Sequence, residues 1–241
     1  MAPNCRCITV HAVSFDHRGG PAFYASLPGG KETAEDGRAP GAGDRNLLVS
    51  VLLDHVLAMR NSRWNFRSPL DRTFFPIRLA CDPLGRPYLL LGTFRGPAIS
   101  FSSCGGKVWA ALCGDASDIG IDLATPGEFE TEYPLQRVFH DHELDHALRL
   151  TAGDLAEASA LLWSIKEAVV KAVGCAFHLV APLQVQVFPS VGESRGFTFP
   201  VCLSRGAAGR FPMEIDRPIW VRSFPREKMW FSIAIMSHQP A

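Results

Sequence analysis

The sequence lacks an excess of charge of either sign. Its 24 lysines and arginines are matched by 24 aspartates and glutamates. Zero net charge argues against a protein whose main task is to coat nucleic acid, although it does not exclude a local basic patch. We therefore expect no nucleic-acid partner.

The sequence also lacks the apolar segments that direct a chain to a membrane. No hydrophobic run reaches the length of a membrane span, and the first residues, MAPNCRCITVHAV, contain no hydrophobic core of a signal peptide. The seven cysteines are scattered and odd in number, which favours reduced thiols over a disulfide framework. These absences predict a cytoplasmic protein without a membrane partner.

Two common catalytic motifs are missing as well. Near LPGGKE (27–32), Ala25 occupies the first glycine position of a P-loop and Glu32 follows the lysine, so the pattern fails. No serine lies in a G-x-S-x-G sequence, which leaves acyl hydrolysis without support.

The residues that are present indicate an ordinary folded protein. Hydrophobic residues make up 47% of the 241 residues and charged residues 20%, enough for a packed core in one large domain or two small lobes. The first half predicts a helix at 45–60 with Asp44 as its N-cap, after a long mobile connection at about 19–44. Strands are predicted at 7–15, at two short segments within 77–91, and at 99–103, 107–114 and 118–124.

The second half repeats the order of helix and then sheet. Helices are predicted at 134–150 and 155–173, the second of them closed by Gly174. The strands predicted after them are 183–188, 197–203, 218–224 and 228–236. The sequence therefore predicts an α+β fold of two similar α/β lobes in a pseudo-twofold arrangement, with an N-terminal lobe at 1–117 and a C-terminal lobe at 118–241.

The helical segment LLWSIKEAVVKAVG (161–174) has an apolar body but carries three charges. On a helical repeat, Lys166, Glu167 and Lys171 fall along one stripe, whereas the other faces are mostly apolar. One interpretation is that Glu167 and Lys171 form an ion pair at a solvent edge. The other is functional, because Asp122 lies upstream on an apolar strand and two partly buried acids suit a hard cation such as Mg²⁺. Lys171 could then neutralise phosphate oxygens.

An ordered set of motifs resembles that of the 4′-phosphopantetheinyl transferases. The set comprises IGIDLA (119–124), Phe139-x-x-x-Glu143 and WSIKEAVVK (163–171). GRP (85–87) and ISFSS (99–103) lie where that family usually has Gly-Lys-Pro and a Ser-His-Ser segment. The length and the two-lobe interpretation resemble the surfactin-synthetase-activating type, which is typically monomeric, rather than the half-length, trimeric holo-acyl-carrier-protein synthases.

The resemblance implies a reaction and its central residues. Such enzymes transfer the phosphopantetheine arm of coenzyme A to a serine of an acyl or peptidyl carrier protein and release 3′,5′-ADP, with Mg²⁺ bridging the diphosphate and protein acids. Asp122 and Glu167 match the metal ligands of the family. Glu167 is further implied to help deprotonate the carrier serine, and Lys171 to offset charge on the leaving diphosphate.

The resemblance also implies contacts around this centre. Arg86 and Ser100 match positions near the 3′-phosphate of coenzyme A, and Lys166 is implied to steady phosphate or carrier contacts. Phe139 and Glu143 are implied to be a hydrophobic anchor and an acid on a helix that flanks the site. A basic pair that some members carry ahead of the first helix is missing, and the candidate substitutes are Lys31, Arg38 and Arg45. The basic patch expected to face an acidic carrier has Arg137 and Arg149 as candidates.

Two departures from the family pattern leave a second hypothesis open. Ala124 stands where many members have a further metal-binding acid, and Phe101 replaces a histidine that usually helps to hold coenzyme A. A catalytically impaired homologue that binds coenzyme A or a carrier domain as a regulator fits these changes. Retention of Asp122, Glu167 and Lys171 argues against it, because such a regulator has no need for a metal-binding pair of acids.

HELDH (142–146) offers a third interpretation. It fits the H-E-x-x-H pattern of zinc proteases, and Glu167 lies downstream as a possible third ligand. Against this, Asp141 and Asp145 put charges before and within a motif that should be buried, and Arg149 occupies a required glycine position. We therefore predict that the histidines of this segment face the solvent on a helix; they are His140, His142 and His146.

Overall fold

The computed structural model describes residues 8–15, 21–28, 42–58, 76–114, 117–130, 133–193, 196–209 and 218–237. Within these ranges the strands are β1 (His11–Val13), β2 (Ala22–Pro28), β3 (Ile77–Cys81), β4 (Pro87–Leu91), β5 (Phe94–Arg95), β6 (Ala98–Cys104), β7 (Lys107–Cys113), β8 (Ser117–Ala124), β9 (Val185–Val187), β10 (Val191–Glu193), β11 (Gly196–Leu203), β12 (Ile219–Arg226) and β13 (Met229–Ser237). The α-helices are α1 (Ala42–Ala58), α2 (Asp141–Leu150), α3 (Leu155–Val173) and α4 (Arg205–Ala208). Short 3₁₀ helices cover Pro126–Phe129, Leu135–Arg137, Ala176–His178 and Pro182–Gln184. None of the helices in these ranges is both long and apolar enough to cross a membrane.

The strands form three antiparallel sheets. The N-terminal sheet has the order β1-β2-β7-β6, and the C-terminal sheet has the order β10-β11-β12-β13-β8, with β9 paired to β11. A small sheet has the order β3-β4-β5. The prediction of a mixed fold of helices and sheets is therefore confirmed. Both β6 and β8 are edge strands, so the ends of the two larger sheets are available to meet each other.

Strand alternation places the two larger sheets face to face. Along β7, Ala110 packs with α1, whereas its neighbour Trp109 points the other way and lies 5.3 Å from the Phe231 ring of β13. Along β13, Phe231 faces the N-terminal sheet, whereas Ala234 joins the core formed with α2 and α3. The layers therefore follow the order α1, N-terminal sheet, C-terminal sheet, and finally α2 with α3.

The predicted end of α3 at Gly174 is confirmed, and local turn chemistry explains both this helix and the β6–β7 hairpin. At the start of α3, the Asp154 side chain accepts a hydrogen bond from the backbone N–H of Glu157 at 3.0 Å, and the helix ends at Gly174 with a φ of 88°. The hairpin between β6 and β7 turns at Gly105 and Gly106, with φ values of 59° and 68°. Two successive positive φ angles match the twist of a hairpin, and glycine adopts them without a steric penalty.

The predicted mobile connection at about 19–44 is wrong over residues 22–28. These residues form β2, which pairs with both β1 and β7 in the interior of the N-terminal sheet. Phe23, Ala25 and Leu27 are almost fully buried. The prolines at its ends suggested a loop, but Pro28 lies at the exposed last position of the strand, where a missing N–H is tolerated. Residues 16–20 and 29–41 lie outside the described residues.

Two helix boundaries differ from prediction. Helix α1 begins at Ala42, so Asp44 lies in the first turn and is not the N-cap. The single helix expected at 134–150 is instead a short 3₁₀ helix followed by α2. The Glu143 carboxylate accepts a hydrogen bond from the backbone N–H of His140 at 2.9 Å, and this contact fixes the start of α2 after His140.

Candidate active site

The candidate site depends on a close approach between β8 and α3. A Cβ atom added at Gly120 would overlap the backbone carbonyl oxygen of Ala168 and the backbone nitrogen of Ala172. The helix backbone therefore lies directly against the strand, and only glycine permits this separation. Since Asp122 follows two residues later on the same face of β8, its side chain points toward α3.

Asp122 is a buried acid with 6% of its surface exposed. Its Oδ1 atom accepts a hydrogen bond from Nζ of Lys171 at 2.6 Å and another from Oγ of Ser102 at 2.9 Å. Burial raises the pKa of Asp122, whereas the charge of Lys171 and the hydrogen bonds act in the opposite direction. One oxygen atom of this acid is thus held both by α3 and by β6 of the N-terminal sheet.

Glu167 lies one helical turn before Lys171 on α3. Its Oε2 atom is 3.6 Å from Nζ of Lys171, so a single ammonium group lies near both acids. Burial raises the pKa of Glu167; the charge of Lys171 opposes this rise and the nearby charge of Asp122 adds to it. The i,i+4 pair expected from the sequence is present, but it is turned toward Asp122 rather than simply lying at a solvent edge.

These residues line an open pocket of about 390 Å³. Among its lining side chains are Arg45, Phe101, Ser102, Asp122, Glu167 and Lys171. With Glu128, which also lines the pocket, three carboxylates and two cationic groups face one solvent-accessible space. This combination suits a ligand that carries phosphate groups together with a divalent cation, because the cation meets the acids and the phosphates meet the basic groups.

The two acids fit a hard cation as part of its ligand set. Asp122 and Glu167 both approach the ammonium group of Lys171, so one small cation can contact a carboxylate oxygen from each. Within the described part of the chain, no three His, Cys, Asp or Glu side chains are grouped closely enough to hold a metal ion by themselves. Mg²⁺ ordinarily retains waters and phosphate oxygens, so two protein carboxylates are a suitable donor set.

The expectation that Lys166 shares the exposed stripe with Glu167 and Lys171 is wrong. Its side chain is fully buried, and Nζ lies 2.8 Å from Oε2 of Glu143. The same nitrogen donates hydrogen bonds to the backbone carbonyls of Pro182 at 3.0 Å and of Val185 at 2.7 Å. Because its three donors are used inside the core, Lys166 has none left for a phosphate or a carrier protein.

Two other residues that were predicted to contact coenzyme A, Arg86 and Ser100, are not among the residues that line the pocket. Arg86 forms an ion pair with Asp118 at the start of β8, and its side chain packs against Gly174 at the end of α3. Ser100 is buried, and its Oγ atom accepts a hydrogen bond from the backbone N–H of Ile121 at 3.1 Å. Both residues therefore connect the N-terminal half of the chain to β8, and their implied contact with the 3′-phosphate stays a prediction.

Arg45 is the one candidate from the missing basic pair that the described residues include. It reaches the pocket from the first turn of α1, and its Cζ atom lies 5.5 Å from the centre of the Phe101 ring. The other two candidates, Lys31 and Arg38, lie outside the described residues.

Sequence reasoning did not single out Ser102, although its hydroxyl group directly contacts Asp122. Ser102 follows Ser100 by two residues, so strand alternation puts both hydroxyl groups on the face of β6 that meets β8. The two-residue spacing of the serines was the only sequence signal for Ser102. Its partner, Asp122, lies 20 positions further along the chain, so the spacing alone does not predict this contact.

HELDH does not form a zinc site. Glu143 is 2% exposed, and its carboxylate accepts a hydrogen bond from the backbone N–H of Val187 at 2.7 Å in addition to its ion pair with Lys166. The imidazole Nε2 of His146 accepts a hydrogen bond from the backbone N–H of Ser190 at 3.1 Å. The prediction of solvent-facing histidines holds for His142, which is exposed, but His140 and His146 are half-buried and bonded to backbone groups.

One comparison with known proteins bears on this site. Residues 118–200 match the family model described as the 4′-phosphopantetheinyl transferase superfamily. No curated protein matches the chain at a significant level. The matched segment begins with β8, contains all of α3, and so includes Asp122, Glu167 and Lys171. The part of the chain that supplies the acids and the lysine of the pocket is thus similar to the 4′-phosphopantetheinyl transferase superfamily.

Proposed function

We propose that the protein transfers the 4′-phosphopantetheine arm of coenzyme A to a serine of an apo acyl or peptidyl carrier protein and releases 3′,5′-ADP. The observation that carries this proposal is the pairing of Asp122 and Glu167 around Lys171, three pocket residues that all lie in the segment similar to the superfamily. Two acids and a lysine in one open pocket are the groups that a magnesium-dependent displacement at phosphorus requires.

Asp122 and Glu167 are the residues that would hold Mg²⁺. When bound, the ion would neutralise oxygens of the coenzyme A diphosphate and so favour departure of 3′,5′-ADP. Ser102 donates a hydrogen bond from its hydroxyl group to Oδ1 of Asp122, which fixes the orientation of that carboxylate. The Ala124 side chain has no carboxylate to offer, and waters would take that place because Mg²⁺ tolerates several.

Glu167 acts as the base and Lys171 stabilises the leaving group. The Glu167 carboxylate accepts the proton of the carrier serine, directly or through a water, and burial raises the pKa of this group, which makes it a stronger base. The serine oxygen attacks the phosphorus atom that carries the pantetheine arm, the P–O bond to the adenosine-side phosphate breaks in line, and 3′,5′-ADP leaves, so no covalent enzyme intermediate is needed. The Lys171 ammonium group donates a hydrogen bond to the departing phosphate of 3′,5′-ADP as negative charge grows there.

The proposal extends to the organisation of the whole chain. We propose two similar α/β lobes, at 1–117 and 118–241, in a pseudo-twofold arrangement like that of the surfactin-synthetase-activating type, working as a monomer in the cytoplasm. The layer order supports the two-lobe arrangement alone, because α1 covers the outer face of the N-terminal sheet, and α2 with α3 covers the outer face of the C-terminal sheet. Arg137 and Arg149, both exposed, are the proposed contacts for an acidic carrier.

Intact-mass analysis of an apo carrier protein tests the reaction. Fatty-acid, polyketide and peptide carriers are each incubated with the protein, coenzyme A and Mg²⁺, and the expected result is a gain of one phosphopantetheine arm on the carrier serine. EDTA and Glu167→Ala should abolish the gain, whereas Asp145→Asn, which neutralises an exposed acid on α2, should retain it. If no carrier gains mass while coenzyme A still binds, the regulator hypothesis replaces the enzyme hypothesis.

A further inference from the structure

Arg45 differs from the other cationic residues near the site in having no acidic partner among the residues that the structure describes. Lys171 contacts Asp122, Lys166 is paired with Glu143, and Arg86 is paired with Asp118. Among the described residues, Arg45 has a single specific contact, the face of the Phe101 ring. A guanidinium group beside an open pocket, without a counterion, is a ready partner for an anion that enters the pocket.

The hydrogen bonding of Arg45 is also incomplete. Its Nε atom is buried and has no hydrogen-bond partner in the described structure. A buried unpaired donor is unfavourable, and native proteins seldom retain one without a reason. Since Nε has no hydrogen bond to a described residue to lose, the guanidinium group can turn toward a ligand and gain a partner for this nitrogen.

Phe101 gives this arginine a defined position. The aromatic face attracts the guanidinium charge and limits the directions in which the side chain can point. Phe101 has no donor for a phosphate, so the cation that it positions is the group on this side of the pocket that can meet one.

We propose that Arg45, held over Phe101, binds the diphosphate of coenzyme A rather than its 3′-phosphate. This inference rests on the proposed function, because it takes coenzyme A as the ligand. Arg45 lines the same pocket as Asp122, Glu167 and Lys171, where the diphosphate must lie if its oxygens share a cation with the two acids. The planar guanidinium fork suits two oxygens of one phosphate, and the Lys171 ammonium group is a second donor in the same pocket.

Binding measurements with two ligands test the assignment without any carrier protein. Isothermal titration calorimetry in the presence of Mg²⁺ compares coenzyme A with dephospho-coenzyme A, which retains the diphosphate and lacks the 3′-phosphate. Arg45→Ala should weaken the binding of both ligands by a similar factor, about 10- to 100-fold. A loss confined to coenzyme A would assign Arg45 to the 3′-phosphate and overturn the proposal, as would unchanged binding of both.

Matched variants separate ligand binding from a structural role. Phe101→Leu keeps an apolar side chain but removes the ring face, and should weaken both ligands about 2- to 5-fold. In the Arg45→Ala background, Phe101→Leu should add no further loss, because the ring acts through the arginine. Arg95 lies 5.4 Å from the Tyr88 ring outside the pocket, so Arg95→Ala is the control and should bind both ligands like the wild type.

Thermal unfolding provides the second readout. Arg45→Ala should leave Tm unchanged within error, because Arg45 makes no ion pair with a described residue and its Nε atom makes no hydrogen bond. A clear loss of stability with unchanged ligand affinity would assign Arg45 a structural role and overturn the proposal. A wild-type protein that binds both ligands but modifies no carrier would refute the transferase proposal and leave the Arg45 assignment standing. Failure of the wild type to bind either ligand would overturn both.

Discussion

The ammonium nitrogen of Lys171 lies 2.6 Å from Oδ1 of Asp122, which is the same oxygen that accepts a hydrogen bond from Ser102. Lys171 is also 3.6 Å from Glu167, so in this structure one lysine partly neutralises both Asp122 and Glu167. A divalent cation that binds these acids must share them with Lys171 or displace it toward the pocket opening. The stability of the protein and its affinity for a metal are therefore linked through one side chain.

We first predict that Lys171→Met lowers the free energy of unfolding in EDTA by about 2 to 3 kcal/mol, because the buried Asp122 carboxylate loses its counterion. The value lies below that of a fully buried pair since the Lys171 side chain is 27% exposed. Mg²⁺ should restore part of the loss and should stabilise the variant more than the wild type, because the acids are then free to bind it. Urea unfolding with EDTA or with Mg²⁺ measures both effects.

Lys107→Met is the control for this first prediction. Lys107 forms an exposed ion pair with Glu227 far along the chain, and its loss should change the free energy of unfolding by less than about 1 kcal/mol. Equal stabilisation of Lys171→Met and wild type by Mg²⁺ would contradict the competition between lysine and metal.

The second prediction concerns the contact between β8 and α3. Gly120→Ala should destabilise the protein by at least about 3 kcal/mol, because the new methyl group overlaps backbone atoms of α3 that cannot rotate away. Gly127→Ala is the matched control, since nothing lies within 4 Å of a Cβ atom at that position. A difference between the two variants of less than 1 kcal/mol in urea unfolding would show that α3 shifts easily, against the close packing described above.

The third prediction distinguishes the structural role of Lys166 from the phosphate-binding role expected from the sequence. Lys166→Met should lower the free energy of unfolding by about 3 to 5 kcal/mol, because it leaves the Glu143 carboxylate buried without a counterion. Adding Glu143→Gln should recover part of this loss, since glutamine removes the charge and still accepts the hydrogen bond from Val187. Calorimetry should give the double variant a wild-type affinity for coenzyme A. A large loss of affinity in a well-folded double variant would restore Lys166 to the binding site.

The fourth prediction is a pH dependence that involves His146. Burial, with a smaller contribution from Arg149, lowers the pKa of His146. The folded state therefore disfavours the charged imidazole, so the stabilising contribution is present above the unfolded pKa of about 6.5 and is lost as the pH falls below it. The geometry acts in the same direction, because Nε2 accepts a hydrogen bond from the backbone N–H of Ser190, which a protonated ring cannot do.

His146→Gln removes the titrating group from this contact. Unfolding measured between about pH 7.5 and pH 5.5 should depend less on pH in this variant than in the wild type. His142→Gln, at an exposed position of the same helix, is the matched control. A variant that loses stability on acidification as steeply as the wild type would disprove the contribution of His146.

Local sequence patterns predicted the elements that form the core of the site. Helix α3 carries its own start and stop signals in Asp154 and Gly174, and glycines mark the β6–β7 turn, so these elements could be located without knowing their neighbours. The motif around Asp122 and the helix with Glu167 and Lys171 were identified together from their order in the chain. β2 was missed because burial between two neighbouring strands, rather than its own residues, makes it a strand.

By itself, the sequence determined which residues share a helix or a strand and in what order the acids and the lysine occur. The tertiary structure alone decided which of these side chains meet. Lys166 and Glu167 are neighbours on one helix, yet Lys166 is buried against Pro182 and Val185 while Glu167 faces the pocket. Ser102 and Arg45 acquire their positions only when β6 and α1 pack beside the matched segment. The physical reason is that helical and strand periodicity fix the direction of a side chain relative to its own element, whereas contacts between distant segments fix what lies in that direction.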